Sequence, residues 1–310
     1  MPWTPEFMAA HEAASKGEPL EIGKSKTKPG TIAALIVSYY KSPDFTGLKP
    51  TTQKTYRNIL ERFREDHGDK RVAMLQRQHV QKLVNDRGDA PTAANRLLQL
   101  MHLLMRHAVE TGLRRDDPTI GVRKVREKAG GFTTWEEHHI AAFLDHHKPG
   151  TRAYSALTLL LYTGQRRGDV VKLGRQNLRD GFLGLVQGKT GQEVHIPLHR
   201  DLAALIDSLP ADAPAFLTGD RGKPLTPEAF TNWFRQMVKD AGLPDGLSPH
   251  GLRKAACRRL AEAGCSPHEI MSISGHKTLS EVTRYTVAAS RKGMAERAVA
   301  ALDRDRTKAG

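Results

Sequence analysis

A length of 310 residues exceeds what one small core requires and suits two domains of roughly 100 to 200 residues each. The 48 Lys and Arg against 34 Asp and Glu leave a formal charge of +14, spread over both halves: 23 basic and 15 acidic side chains in residues 1–130, 25 and 19 in 131–310. This excess suits an anionic partner, and equally the plainer alternative of a solvated basic surface, so motifs must decide between them. The two cysteines, Cys257 and Cys265, form no CxxC pair or metal-type cluster, the first 30 residues lack an apolar signal core, and no apolar run is long enough to span a bilayer. These features point to a reduced, cytoplasmic setting and away from a membrane.

In chain order, residues 1–30 mix charges with Gly17, Gly23, Pro29 and Gly30 and read as a loosely docked lead-in. Helical spacing then begins: Ile32, Leu35, Ile36 and Tyr39 mark one helix, and Thr52 to Phe63 a second through Tyr56, Ile59 and Leu60. A short third is expected at about Gln78–Asp86 and a long fourth at Pro91–Thr111, with a stripe from Leu97 to Ala108. Residues 31–113 thus form an all-α domain. Its polar faces carry Lys54, Arg57, Arg96 and Arg106, candidate phosphate contacts with a solvated helix face as the alternative.

Residues 114–131, with Arg114, Arg115, Arg123, Lys124, Arg126 and Lys128 among Gly and Pro, read as a basic interdomain linker. A second domain, 132–287, follows. Thr134 is expected to cap a helix to about His146, with an apolar helix at Tyr154–Tyr162 after it. At Gly181–Pro197 the period changes to two short strands around Gly188-Lys189-Thr190-Gly191. Helices resume at Asp201–Ser208 and Pro227–Ala241, then run from Ser248 to Asp303 with breaks at Gly264–Pro267 and Ser274-Gly275. Residues 288–310 make a C-terminal amphipathic tail.

Breaking a phosphodiester without a metal takes a nucleophile, a proton donor for the leaving oxygen and fixed cations around the nonbridging oxygens. The second domain offers such a set. Gly164 permits a turn that starts a helix near Arg166, and His250 and Arg253 stand at i and i+3 on one helix face. Each fragment alone is ordinary, since Arg, His and Lys on surfaces are usually solvent contacts and a helical Tyr is usually half-buried packing. Order and spacing add specificity: Arg166, Lys189 at a hairpin, His250-x-x-Arg253, Gly275-His276, then Tyr285 nine residues later.

This series resembles the tyrosine recombinases, or phage-type integrases, over nearly the whole second domain. The resemblance implies a mainly α fold: a helical SAM-like core-binding domain, then an α+β catalytic domain with a small antiparallel sheet. It implies that Tyr285 attacks the scissile phosphate to give a 3′-phosphotyrosyl link, with His250 as base or hydrogen-bond partner and Arg166 and Arg253 clamping the nonbridging oxygens. Lys189 would protonate the leaving 5′ oxygen and His276 would donate to the phosphate. Asp169, where Glu is common, would hold the site together; Gln165, Arg167 and Gly168 also depart from the family pattern. The implied partner is double-stranded DNA, bound by a homo-oligomer, a tetramer on paired sites, with DNA-bending accessory proteins in a nucleoid setting and neither metal nor other cofactor. The implied role is integration or excision of a mobile element. Two alternatives remain at this point, a type IB topoisomerase and a DNA-binding protein without catalysis.

Overall fold

Capping residues and prolines decide where the helices begin. In the computed structural model, which describes residues 27–127, 131–220, 222–289 and 299, the chain divides into two compact units, residues 1–129 and 130–310. The first 26 residues of the expected lead-in and the expected C-terminal tail beyond residue 289, apart from 299, lie outside the described residues.

In unit 1 the Thr31 hydroxyl accepts from the Ala34 N–H and starts α1 (Ile32–Lys41). A single turn, α2 (Pro43–Thr46), precedes α3 (Pro50–His67), which outruns its apolar pattern because Pro50 starts it early and polar residues continue its last turn. Then come α4 (Arg77–Asn85) and α5 (Pro91–Glu110). Leu35 and Ile36, Leu60 and Phe63, Val80 and Val84, and the α5 stripe close one core. Each fully buried leucine there contributes about 1.5–3 kcal/mol by leaving water.

Residues 114–127, which the sequence presents as linker, lie against this unit. The Gln81 amide accepts from the Arg123 N–H at 2.8 Å and donates to its carbonyl at 3.2 Å, and Asn95 does the same for Val125 at 2.9 Å each way. Val122 and Val125 pack on the core, and Arg114 caps the carbonyls of Val72 and Leu75. Amides that imitate a strand edge leave no periodic mark in the sequence, so charge alone points to a linker there.

In unit 2, α6 (Glu137–His146) starts at Glu136 and not at Thr134: the Glu136 N–H donates to the His139 ring at 3.1 Å in a reciprocal capping box. The backbone at Thr133 bridges Leu247, and buried Trp135 donates its indole N–H to the Ser248 carbonyl, so this stretch is extended. Next is α7 (Arg152–Thr163), apolar on nearly every side, and one turn, α8 (Arg167–Val170). The sheet has order β1-β2-β3, antiparallel, with β1 (Leu178–Arg179), β2 (Phe182–Val186) and β3 (Glu193–Pro197); Leu183 faces Ile196 and Leu185 faces Val194. The sequence predicts only two of these strands, because two residues cannot display an alternation.

Four more named helices follow: α9 (Arg200–Ser208), α10 (Pro227–Asp240), α11 (Pro249–Glu262) and α12 (Pro267–Ser274), and then helical residues 279–289. The unit is mainly helical around a core in which α7 and α11 meet Trp135, Phe143, Phe230 and Phe234. Among the described residues no helix is long and apolar enough to cross a membrane.

Candidate active site

The end of α7 positions the first arginine. Gly164 adopts φ 62° to close the helix, and two residues later Arg166 is the extended N-cap of α8. Because α8 is a single turn, its dipole adds little to the guanidinium, contrary to what a longer helix would give. Arg166 Nη1 donates to Gln187 Oε1 at 2.7 Å. Buried Asp169 accepts the Gly188 N–H on Oδ1 at 2.9 Å, which ties α8 to the turn carrying Lys189; its Oδ2 is buried with no hydrogen-bond partner.

Arg253 projects from α11 into the interior and is only 2% exposed. Nη1 donates to two backbone carbonyls, Gly164 at 2.8 Å and Ser274 at 2.7 Å, while buried Nη2 has no protein partner. Burial, and after it the neighbouring Arg166, pull the guanidinium pKa down to about 10. Two cations near one another in a low-dielectric pocket are costly without an anion between them.

Two imidazoles share that field. His250 packs on the Phe132 ring at 4.6 Å between centroids, and burial, then Arg253, Lys254, Arg166 and Lys189, hold its pKa down at about 4. His276, just past the left-handed Gly275, is held at about 4 by burial and Arg253, with Glu281 opposing. Both rings are therefore neutral at pH 7. The Ser274 hydroxyl donates to the Ile270 carbonyl at 2.6 Å and lies 2.7 Å from His276 Nδ1. With its one proton so directed, it accepts from Nδ1–H, and Nε2 of the neutral His276 ring is left as an acceptor.

Tyr285 lies on residues 279–289, its ring packed against Cys257, Ala261, Ile270 and Val282. Its hydroxyl accepts from Arg284 Nη2 at 3.1 Å, and the Arg284 guanidinium sits over the ring at 4.9 Å. Burial and the Cys257 thiol raise the phenol pKa above its usual 10, while Arg284 and Arg253 pull it back. The structure thus gathers Arg166, Lys189, His250, Arg253 and His276 into one electrostatic neighbourhood and sets Tyr285 within reach of the field of Arg253, bonded to its chain neighbour Arg284.

Within unit 1, the candidate DNA contacts are exposed or half-exposed. Arg106 pairs with Asp44 and Glu110, Arg57 covers the rings of Tyr40 and Phe45, Arg96 covers Tyr56 and donates to Gln99, and Lys54 is exposed. Gln187, Ser274, Arg284 and Phe132 also border the site, which the sequence pattern does not foretell. Gln165 stands out in the sequence only as a departure from pattern, and Gln187 carries one signal, its place directly before Gly188-Lys189.

A model of the phage integrase family matches residues 132–292. The tyrosine recombinase XerD of Vibrio cholerae serotype O1 is 25% identical over 268 residues, covering 79% of this chain and 88% of its own. A lambda integrase dimer bound to a COC′ core site superposes with a TM-score of 0.74 at 20% identity, over 83% of this chain and 95% of the other. A lambda integrase tetramer bound to a Holliday junction gives 0.73 at 21% identity, over 88% of each chain. At such identities the structural likeness shows the fold.

Proposed function

The chain belongs to the phage integrase family, and on that premise we propose that it is a site-specific tyrosine recombinase that cuts and rejoins double-stranded DNA through a 3′-phosphotyrosyl link at Tyr285. One observation carries the reading: buried Arg253 keeps Nη2 unpartnered beside a second arginine, a setting that a phosphate oxyanion satisfies with charge-assisted bonds.

In the reaction Tyr285 Oη attacks phosphorus as the bond to the 5′ oxygen breaks. The phenol proton passes to neutral His250, and the Lys189 ammonium gives a proton to the departing 5′ oxygen. Arg166 and Arg253 meet the charge that builds on the nonbridging oxygens; one such donor is worth about 3–4 kcal/mol. Asp169 keeps α8 and the Lys189 turn together. His276 donates from Nε2 once the bound phosphate has drawn a second proton onto its ring. One phosphodiester replaces another, so the link stores the bond for rejoining when a 5′-hydroxyl attacks in reverse.

The enzyme works as a tetramer on paired sites, a reading supported by the lambda integrase tetramer on a Holliday junction, and its role is integration or excision of a mobile element. Recombination of the kind carried out by the XerD tyrosine recombinase it resembles, without a mobile element, is the second reading. The test is a supercoiled plasmid carrying two copies of a core site selected from a library. Recombinant circles support strand exchange; relaxed plasmid without recombinants would assign the same chemistry to a topoisomerase.

A further inference from the structure

Behind Arg166 lies a pair of glutamine amides, Gln165 and Gln187, both 0% exposed. Gln187 Nε2 donates to Gln165 Oε1 at 2.6 Å and to the Ser274 carbonyl at 2.8 Å; its Oε1 accepts from Arg166 Nη1 and from the Thr190 hydroxyl, each at 2.7 Å. Gln165 Nε2 donates to the carbonyls of Ile273, at 2.7 Å, and Thr163, at 3.0 Å. The orientation of the Gln187 amide is forced, since a guanidinium can only donate and a backbone carbonyl can only accept. Every donor and acceptor of that amide is used, as a buried polar network requires.

The backbone of Gln187 does a second job. Its N–H donates to the Gln192 carbonyl and its own carbonyl accepts from Gly191, each at 2.8 Å, so this residue closes the turn that carries Lys189. Thr190, one residue beyond Lys189, returns to the same Oε1. Gly275 leaves the room this needs, for a Cβ there would overlap the Gln187 amide. A single side chain is therefore joined to Arg166 at the end of α7, to the turn between β2 and β3, and to the end of α12 next to His276.

We propose that Gln187, braced by Gln165, is a positioning residue that holds Arg166 and the Lys189 turn in one register, so that transition-state clamping and leaving-group protonation are set together. This rests on the recombinase reading above. Its chemistry gives a separable readout. A substrate whose scissile 5′ bridging oxygen is replaced by sulfur releases a thiolate, which needs no proton from Lys189, whereas the demand on Arg166 is unchanged.

The test is single-turnover cleavage by the full chain of a nicked core site, with oxygen or sulfur at the bridging position, alongside DNA affinity. Gln187→Met keeps side-chain length and removes the hydrogen bonds. It is expected to slow cleavage of the oxygen substrate by about 10- to 100-fold, as an ångström-scale misplacement does, to slow the sulfur substrate distinctly less, and to leave affinity unchanged. Gln165→Met should repeat the pattern more weakly, and Gln187→Met combined with Lys189→Ala should be no slower on the sulfur substrate than Gln187→Met alone. Equal losses on both substrates, or wild-type rates on both, would overturn the proposal. Failure of the wild-type chain to form an adduct with either substrate would count instead against the recombinase reading.

Discussion

In unit 1 the arginines suspected of meeting DNA sit on helix surfaces and already have company: carboxylates of Asp44 and Glu110 for Arg106, aromatic rings for Arg57 and Arg96. In unit 2, Arg253 is buried and held by two main-chain carbonyls, and Arg166 is held by one buried amide. The first arrangement costs little to rearrange, because an exposed ion pair is worth about 0–1 kcal/mol and water can replace either partner. The second is fixed by the fold, keeps net positive charge out of water, and gains most from an anion. On the proposed recombinase reading, the difference separates cations suited to gripping any phosphate from cations suited to one phosphate at one instant.

The largest effects should come from unit 2. Arg253→Ala and Arg166→Ala are expected to reduce single-turnover cleavage by about 10²- to 10³-fold, corresponding to one missing transition-state donor, with a far smaller change in DNA affinity. A loss of cleavage matched by an equal loss of binding would erase the distinction between the two regions.

Packing around the site sharpens it next. Gly112 and Gly275 both have positive φ, at 72° and 65°, but a Cβ at 112 meets open space and one at 275 meets the Gln187 amide. Gly112→Ala should cost about 1–2 kcal/mol in urea unfolding from backbone strain alone, whereas Gly275→Ala should cost more and also slow cleavage. Equal costs would mean that the amide yields freely.

Smaller changes belong to unit 1. Alanine at Arg57, Arg96 or Arg106 should weaken binding nearly uniformly across DNA sequences and lower the slope of log affinity against log salt by roughly 0.9 for each phosphate that is no longer neutralised. An unchanged slope would leave those arginines as surface charge.

Acid should act through unit 2 as well. The folded pKa values of His250 and His276, about 4, lie below the ordinary 6.5, so the unfolded chain takes up protons that the folded chain refuses. Their stabilising contribution is full above pH 6.5 and is lost as the pH falls from there to 4. Urea unfolding between pH 7 and 4.5 should show this decline, and His250→Gln should flatten part of it; a flat wild-type profile would mean that the rings titrate normally.

Much of this architecture is legible in the sequence. The stripes of α1 and α5 announce buried faces at 3.6-residue spacing, and Arg166, Lys189, His250, Arg253, His276 and Tyr285 stand out because polar types that are ordinary one by one occur together in a telling order and spacing. What stays hidden depends on partners distant in sequence. Gln81 and Asn95 dock residues 114–127 through amides that look like any surface residue, Glu136 displaces Thr134 as a cap because Trp135 must be buried, and the Ser274 carbonyl that joins Arg253 to Gln187 has no sequence signature at all.

The central claim, that these cations serve a bond made by one phenolic oxygen, is tested most directly by trapping that bond. A nicked core site that loses its short 5′ fragment on cleavage prevents rejoining and leaves protein joined to DNA. An adduct that survives denaturation is expected, with the DNA on the peptide containing Tyr285, and none with Tyr285→Phe. Adduct formation that persists in Tyr285→Phe, or DNA attached to another residue, would contradict it.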